Sequence, residues 1–414
     1  MIYKSSNPMK SIKHYFNAIK AIWQKNRSIH SRKRKRRKNI KEDIKICQRL
    51  LQDKNLQLNM KEQPSLDTIL QDNGKLCDKT GFAYQPTLDL SIIIPMYNAK
   101  AYIKECLDSV LNQQTKYIYE IVLIDDGSTD DALQEIEEYL QDERVVLLKQ
   151  ENQGQSVARN NAIFYSRGRY IMMIDSDDLL LPGSIEVLLD TAIKTNSDIV
   201  EGKVTRFHKE PNQEDIFTNK KIKIRSSKKK PYFVLSTYGY SVAKVYKREL
   251  WEKLRYPEGY IFEDIISKFI LRRKANQVAF LDYTVYGYRW NYNSTSHGKN
   301  LRKKLDSLLV LPKVIKLCEQ EKVEKDETFY LLCLNHIGLL NFVTTKNFER
   351  EERLIFFAEM QKQLKNVYAY RPKKMPKMFQ MLEESIINGN FESWQKIAET
   401  IQNYQMLKKY REIN

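Results

Sequence analysis

Three carboxylates stand together where the apolar run Ile171-Met172-Met173-Ile174 gives way to Asp175-Ser176-Asp177-Asp178. An apolar run of this kind fits a strand buried on both faces of a parallel sheet, and acids at its carboxyl end face the crevice where such sheets take ligands. Hard oxygen donors there suit Mg²⁺ or Mn²⁺. A cation so held would neutralise a nucleotide diphosphate and, as a Lewis acid, help it leave. The competing reading is a solvated acidic turn.

Other clusters have the same placement. Asp125-Asp126-Gly127-Ser128-Thr129-Asp130 follows a second apolar run. Ser128 or Thr129 can cap the next helix, and one of the paired acids can accept a hydrogen bond from a base N–H. Pro95-Met96-Tyr97-Asn98 ends the first run without any glycine, so it is neither a GxGxxG fingerprint nor a P-loop. Here Tyr97 can stack on a base and Asn98 can cap the following helix, a plain strand-ending turn being the alternative. In Gln153-Gly154-Gln155-Ser156-Val157-Ala158-Arg159-Asn160 a helix begins at Gly and Ser. Helix N-termini favour anions, which suggests a phosphate or sugar contact for Arg159.

These clusters need a scaffold, and the pattern from residue 89 supplies one. Strand runs at 88–94, 121–124, 145–148 and 171–174 alternate with helical patterns at 101–113, 131–140 and 156–166. Such a β-α series predicts a Rossmann-like, mostly parallel sheet with helices on both faces, its ligands at the carboxyl ends of the strands. After Asp178 helix signals weaken until about residue 250. The charged stretch at 220–230 reads as an exposed hairpin or loop. Beyond residue 300 apolar residues return at helical spacing, predicting a helical appendage. We therefore expect three regions: 1–88, a basic helical extension and linker; 89–298, the α/β domain; and 299–414, helical.

The 414 residues carry a formal charge of +18, but residues 1–60 hold 17 Lys and Arg against three Asp and Glu. Within them Ile12, Tyr15, Phe16, Ile19, Ile22 and Trp23 recur at helical spacing before the block Arg32-Lys33-Arg34-Lys35-Arg36-Arg37-Lys38. A basic amphipathic helix followed by a cationic block has the composition of a segment that lies on an anionic membrane surface, here through residues 10–38. A solvated or protein-contacting helix and a nucleic-acid contact are the competing readings. Five widely spaced cysteines without a CxxC pair argue against both a disulfide framework and a zinc site, and imply a reducing cytoplasm. No apolar run reaches the roughly 18 residues that a membrane span needs.

Taken in order, the Pro95-Met96-Tyr97-Asn98, Asp125-Asp126-Gly127-Ser128-Thr129-Asp130, Gly154…Ala158-Arg159-Asn160 and Asp175-Ser176-Asp177-Asp178 segments resemble the family 2 glycosyltransferases of GT-A fold, of the non-processive capsule and exopolysaccharide kind. The resemblance is close over about residues 89–190. It implies that Asp175 and Asp177 form a metal-binding DxD element, that Asp126 reads the base and that Tyr97 stacks on it. In Phe262-Glu263-Asp264-Ile265 it implies Asp264 as general base, with Glu263 orienting Asp264 or the acceptor. Arg289, in Tyr288-Arg289-Trp290, is similar to the family's arginine that closes over the diphosphate, a task suited to a bidentate guanidinium. Processive members carry Gln-x-x-Arg-Trp, whereas Tyr286-Gly287-Tyr288 stands before Arg289-Trp290 here, which implies one sugar per encounter.

The expected activity is thus inverting, metal-dependent transfer from a nucleotide-sugar donor, a UDP-sugar, to a lipid-linked or polysaccharide acceptor at the cytoplasmic membrane face. A sugar-1-phosphate nucleotidylyltransferase is disfavoured because a Gly-rich loop should follow the first strand. A nucleic-acid binder is disfavoured because the basic charge lies outside the acidic site. No nucleic-acid partner is expected.

Overall fold

The computed structural model describes residues 74–208, 211, 222–226, 231–237, 239–290 and 300–413. The basic segment 10–38 and residues 291–299 lie outside them. The chain divides into two compact units: residues 72–306 with 310–323, and, among the described residues, 324–413 with 307–309.

The first unit is built on one nine-stranded sheet of order β3-β2-β1-β4-β8-β6-β9-β5, with β7 added on β9. Its first four strands are β1 (Leu88–Met96), β2 (Tyr119–Asp125), β3 (Val145–Lys149) and β4 (Gly168–Met173), all parallel. From Leu90 onward β1 is buried, as is all of β2, which is why their sequences are nearly continuous apolar runs. Helix α1 (Ile103–Leu111) follows β1, and helix α2 (Gln155–Tyr165) leads from β3 to β4. The helix expected at 131–140 is instead a single α-turn, Ala132–Glu135, and a 3₁₀ turn, Glu137–Gln141.

Beyond β4 the sheet turns mixed, which departs from a mostly parallel expectation. Strand β8 (Lys244–Lys247) runs antiparallel to both β4 and β6 (Ile199–Phe207), β6 pairs in parallel with β9 (Val278–Arg289), and β5 (Leu179–Leu180) and β7 (Ile222–Arg225) run antiparallel to β9. A helix not anticipated in the sequence, α3 (Ser184–Thr195), buries Ile185, Leu188, Leu189 and Ala192. Part of the charged stretch expected to be an exposed hairpin or loop is β7, which is exposed throughout.

The starts of the parallel strands are tied together by polar atoms. Ser91 Oγ donates to Glu120 Oε1 at 2.5 Å, the Arg167 backbone N–H donates to the same oxygen at 2.6 Å, and Arg167 Nε reaches Glu120 Oε2 at 2.8 Å. This cluster is buried at Ser91 and Glu120, so the acid's hydrogen bonds compensate its desolvation. Upstream, residues 74–87 are fastened by Arg248, whose Nη2 donates to the Tyr84 carbonyl at 2.5 Å, and by Arg255, which reaches the Gly81 carbonyl.

Helix α4 (Leu301–Gln320) leads on to the second unit, which is all helical: α5 (Glu327–Asn335) continued by a π-turn and a short α-turn to Thr345, then α6 (Arg350–Val367), α7 (Lys377–Ile387) and α8 (Phe391–Ile413). Among the described residues one helical stretch, Glu327–Thr345, is long and apolar enough to cross a membrane, and most of it is buried within the protein. Trp394 packs on Phe357 and Phe391, with ring centroids 5.4 and 5.6 Å away. Burying such rings against one another stabilises a core by more than area alone. No disulfide joins the described cysteines.

One glycine tests this account of the sheet. A Cβ on Gly168 would sit 2.2 Å from the Ser91 backbone nitrogen, and β1 backbone cannot give way. Gly168→Ala should therefore lower stability by about 2 kcal/mol or more, read as a fall of several degrees in Tm.

Candidate active site

Strand β1 outruns β4. Its pairing with β2 extends to Met96 opposite Asp125, whereas its pairing with β4 ends at Ile93 opposite Met173. Chain order also reverses at β1, with β2 and β3 on one side and β4 on the other, so the crevice opens here. Pro95 is buried in β1 and faces the same edge as Ile93, beyond the end of β4, where a missing N–H breaks no ladder bond. Its expected role at the ligand loop is thus to shape the strand end.

The next two loops are locked to each other. Asn98 adopts a left-handed φ of 50°, which Asn tolerates better than most residues. Its side-chain oxygen accepts from the Thr129 N–H at 2.7 Å, and its own N–H donates to Ser128 Oγ at 3.0 Å. It does not cap α1, whose N-cap is Tyr102. Nor do Ser128 or Thr129 cap the following turn; Asp130 Oδ1 accepts from the Ala132 N–H there at 3.1 Å. Tyr97 is half exposed, as a stacking residue must be.

Asp126 is turned inward. Its Oδ1 accepts from Gln150 Nε2 at 2.7 Å and the Gln153 N–H at 2.8 Å, and its Oδ2 from the Gly154 N–H at 2.9 Å. Three of its acceptor sites thus hold the 150–154 loop that launches α2. Gly127 takes a left-handed φ of 73°, and a Cβ there would meet the Asn152 N–H nitrogen at 2.8 Å.

Arg159 departs furthest from its expected role. Only 4% exposed, it places Nη2 2.6 Å from Asp175 Oδ1 and bonds Glu263 Oε1 through Nη1. Both terminal nitrogens are thus committed to carboxylates, so this guanidinium does not offer itself to a phosphate. It joins the acidic turn after β4 to the 3₁₀ turn Glu263–Ile265.

The acidic turn is held from several sides. Tyr286 Oη accepts from the Asp175 N–H at 3.1 Å and donates to Asp178 Oδ2 at 2.7 Å. The Arg289 N–H donates to Asp178 Oδ1 at 2.7 Å, and Arg289 Nε to the Asp177 carbonyl at 2.8 Å. Asp178 is therefore structural, turned into the protein. Its carboxyl is raised by burial, then by Asp175 and Asp177. Asp177 keeps its carboxylate outside this network, and burial, then Asp175, pushes it up to about 6. Arg289 Nη2 pairs with Glu105 Oε2 at 2.5 Å, so the same guanidinium joins α1 to the acidic turn. Because the Glu105 side chain is 56% exposed, that pair is weak and exchangeable.

Two crowded carboxylates, with a third turned away, suit a hard divalent ion that keeps other oxygen ligands, as Mg²⁺ and Mn²⁺ do. Among the described residues no group of three or more His, Cys, Asp or Glu side chains is arranged so that it could hold a metal ion.

Glu263 and Asp264 share a turn but not an environment. Glu263 is 2% exposed; burial raises its carboxyl, Arg159 opposes this and Asp264 adds to it. Its Oε2 has no hydrogen-bond partner. Asp264 is half-buried and is raised by burial, with Arg159 and Lys244 lowering it and Asp175 raising it. The Arg159 link joins Glu263, and with it the turn that carries Asp264, to the Asp175 turn. Tyr286, Gln150 and Glu105 were not singled out from sequence; Tyr286 had only its place in the Tyr286-Gly287-Tyr288 run as a signal.

Such a sheet, with acidic loops at its switch point and an acid pair carried by a later segment, defines the GT-A class of glycosyltransferases. The model of the family described as glycosyl transferase family 2 matches residues 91–255. The chain is 30% identical over 222 residues to glycosyltransferase GlyA of Streptococcus pneumoniae, covering 50% of this chain and 31% of GlyA. It is 33% identical over 221 residues to the uncharacterized glycosyltransferase EpsJ of Bacillus subtilis, covering 50% of this chain and 62% of EpsJ. The chain therefore spans less than two thirds of either relative. Among solved structures, Staphylococcus aureus TarS 1–349 in complex with UDP-GlcNAc superposes with a TM-score of 0.59 at 17% identity, covering 76% of this chain and 92% of that one, a likeness of fold. Over residues 91–255 the chain is thus similar to the family 2 glycosyltransferases.

Removing the Arg159 cation tests the link. Arg159→Met leaves two carboxylates without their partner and should cost about 3–5 kcal/mol near neutral pH. Without Arg159 the folded-state Glu263 carboxyl rises further, and a raised carboxyl loses stability as pH climbs through its folded value. The Tm deficit of the variant should accordingly shrink as pH is lowered; a deficit independent of pH would mean that Glu263 is not what the guanidinium neutralises.

Proposed function

We propose that this chain is an inverting, metal-dependent glycosyltransferase that moves a sugar from a nucleoside-diphosphate donor, a UDP-sugar, to a hydroxyl of a lipid-linked or polysaccharide acceptor in cell-surface glycan synthesis. The observation that supports this reading is the Asp175–Arg159–Glu263 link, which joins the acidic turn after β4 to the turn that carries Glu263 and Asp264.

In this reading Asp177 and Asp175 would hold Mn²⁺ or Mg²⁺, which when bound would supply positive charge to neutralise the diphosphate. Tyr97 stacks on the base, and Asp126 positions the loop around it. Arg289 exchanges exposed Glu105 for a diphosphate oxygen. Asp264 takes the proton from the acceptor hydroxyl as its oxygen bonds to the anomeric carbon; the bond from that carbon to the diphosphate breaks, and its electrons leave with the nucleotide. A single displacement needs one base and no enzyme nucleophile. A diphosphate already neutralised also needs no acid to protonate it, unlike the leaving alcohol of glycoside hydrolysis. GlyA and EpsJ are named as glycosyltransferases, which supports the class of reaction.

The basic segment 10–38 lies outside the described residues, and its composition supports docking on an anionic membrane from the cytoplasmic side.

A panel of nucleotide sugars, tested for Mn²⁺-dependent protection against thermal unfolding, checks the donor site. One UDP-sugar should raise Tm, and the rise should vanish without metal or in Asp177→Ala; no protection by any nucleotide would sink the reading. Membrane docking is checked separately by flotation on anionic liposomes. The full chain should float and a chain lacking residues 1–60 should not, and equal flotation would remove the membrane partner.

A further inference from the structure

The segment that carries Glu263 and Asp264 has little structure of its own. Between Trp251 and Glu263 the chain forms neither helix nor strand, apart from a single β-bridge at Glu258, and Gly259 turns it at a left-handed φ of 87°. Its backbone groups must therefore find partners elsewhere, and those partners set where the acid pair sits. One set comes from α2. Asn160, the neighbour of Arg159, accepts from the Tyr256 N–H at 2.8 Å and donates to the Tyr256 carbonyl at 3.0 Å and to Glu258 Oε1 at 3.2 Å.

A second set comes from residues 74–87, upstream of β1. Lys75 exchanges both backbone hydrogen bonds with Glu258, at 3.0 and 2.8 Å, and its ammonium lies 3.5 Å from Glu258 Oε2. Beside it Gly74 lies against the buried Tyr260, where a Cβ would fall 2.1 Å from the ring. This strap is itself a fixed object. Gly81, Ala83 and Thr87 donate their N–H groups to the carbonyls of Glu252, Phe164 and Arg167 at 2.8, 2.7 and 2.9 Å, and the Arg248 guanidinium lies 3.5 Å from the centroid of the Phe82 ring. Glu258 is buried, with one carboxylate oxygen turned to α2 and the other to the strap. Because the Lys75 ammonium is exposed, that ion pair adds little, and the backbone bridge and the Gly74 contact carry the grip. The stretch matched as glycosyl transferase family 2, residues 91–255, contains neither the strap nor the segment it grips.

We propose that the strap 74–87 is part of the reacting unit, with Glu258 as the positioning residue that joins it to α2 and thereby fixes the segment bearing Glu263 and Asp264. The inference rests on the reading of Asp264 as the base. Arg159 holds Glu263 from α2, but one ion pair alone leaves a turn free to pivot. The Glu258 joint fixes a second point on the same segment, and Asp306 Oδ2, which accepts from the Ile261 N–H at 3.3 Å, adds a weaker third.

The test compares the full-length wild type with Gly74→Ala, Glu258→Ala and Glu258→Gln. Two quantities are read: backbone hydrogen–deuterium exchange, and UDP release from each UDP-sugar of the panel with water as the acceptor. Gly74→Ala pushes on Tyr260 from the strap, Glu258→Ala removes the side-chain joint, and Glu258→Gln keeps an acceptor for Asn160. In both alanine variants the amides of residues 256–266 should exchange about tenfold faster while those of β1 and β2 do not change. Their kcat should fall about tenfold at an unchanged donor KM, because a displaced base costs chemistry and not donor binding, and Glu258→Gln should recover most of the loss. Unchanged exchange at 256–266 in whichever alanine variant folds would overturn the proposal, and so would faster exchange there with kcat intact. A fall in kcat matched by an equal loss of UDP protection would overturn it as well, since the damage would then reach the donor site. Exchange is measured without nucleotide, so a strap that leaves 256–266 unmoved is a failure of this inference alone, whereas a wild type that no nucleotide protects is a failure of the donor reading.

Discussion

A guanidinium buried between two carboxylates is the constraint on which the rest of this site depends. Arg159 can reach both Asp175 and Glu263 only if α2 begins where it does, and that start is set by Gly154 at a left-handed φ of 89° and by Asp126, which holds the Gly154 N–H. The Asp175 turn must in turn be rigid, which Tyr286 and Arg289 ensure from β9. The Glu263 turn must lie on the right side of the sheet, which the antiparallel strands β8 and β6 arrange. A buried pair is seldom a source of net stability, because desolvation consumes most of the Coulomb attraction. What it enforces is geometry, since any displacement of one partner leaves a charge without compensation.

The carboxylates of the site are chemically alike, and their surroundings divide the work among them. Asp178 is enclosed by a phenol and a backbone N–H and can only hold the turn. Asp126 spends itself on a loop. Asp177 is left with no donor side chain and a neighbouring negative charge, the condition under which a carboxylate gains most from a cation.

The parallel half of the sheet was legible because strands buried on both faces must be apolar almost without interruption, as residues 92–94 and 121–124 are. The mixed half was not. Its strands carry Glu201, Lys244 and Arg289, which enter the interior with charged partners, Glu201 with Lys244 and Arg289 with Glu105, and so erase the hydrophobic pattern that sequence reading relies on. Helix α3 was missed although Ile185, Leu188, Leu189 and Ala192 have helical spacing, because Leu179-Leu180-Leu181-Pro182-Gly183 ahead of it reads as a run broken by a turn. At the site, residue types were readable and directions were not. Arg159 was marked as a functional cation, yet its partners lie 16 and 104 residues away, one of them across the fold. No local pattern states which anion a buried cation will meet.

The same reasoning separates the two members of the acid pair. A base must reach its substrate and must have a lone pair free in its ionised form. Glu263 has one oxygen in the grip of Arg159 and the other buried without a partner, so it can orient but is poorly placed to exchange protons with an arriving hydroxyl. Asp264 is less enclosed, and the charges of Arg159 and Lys244 both favour its ionised form. Arg159 and Lys244 oppose the desolvation of this carboxylate, which on balance still raises it. The pair is thus divided by its surroundings into an anchored acid and a less enclosed one.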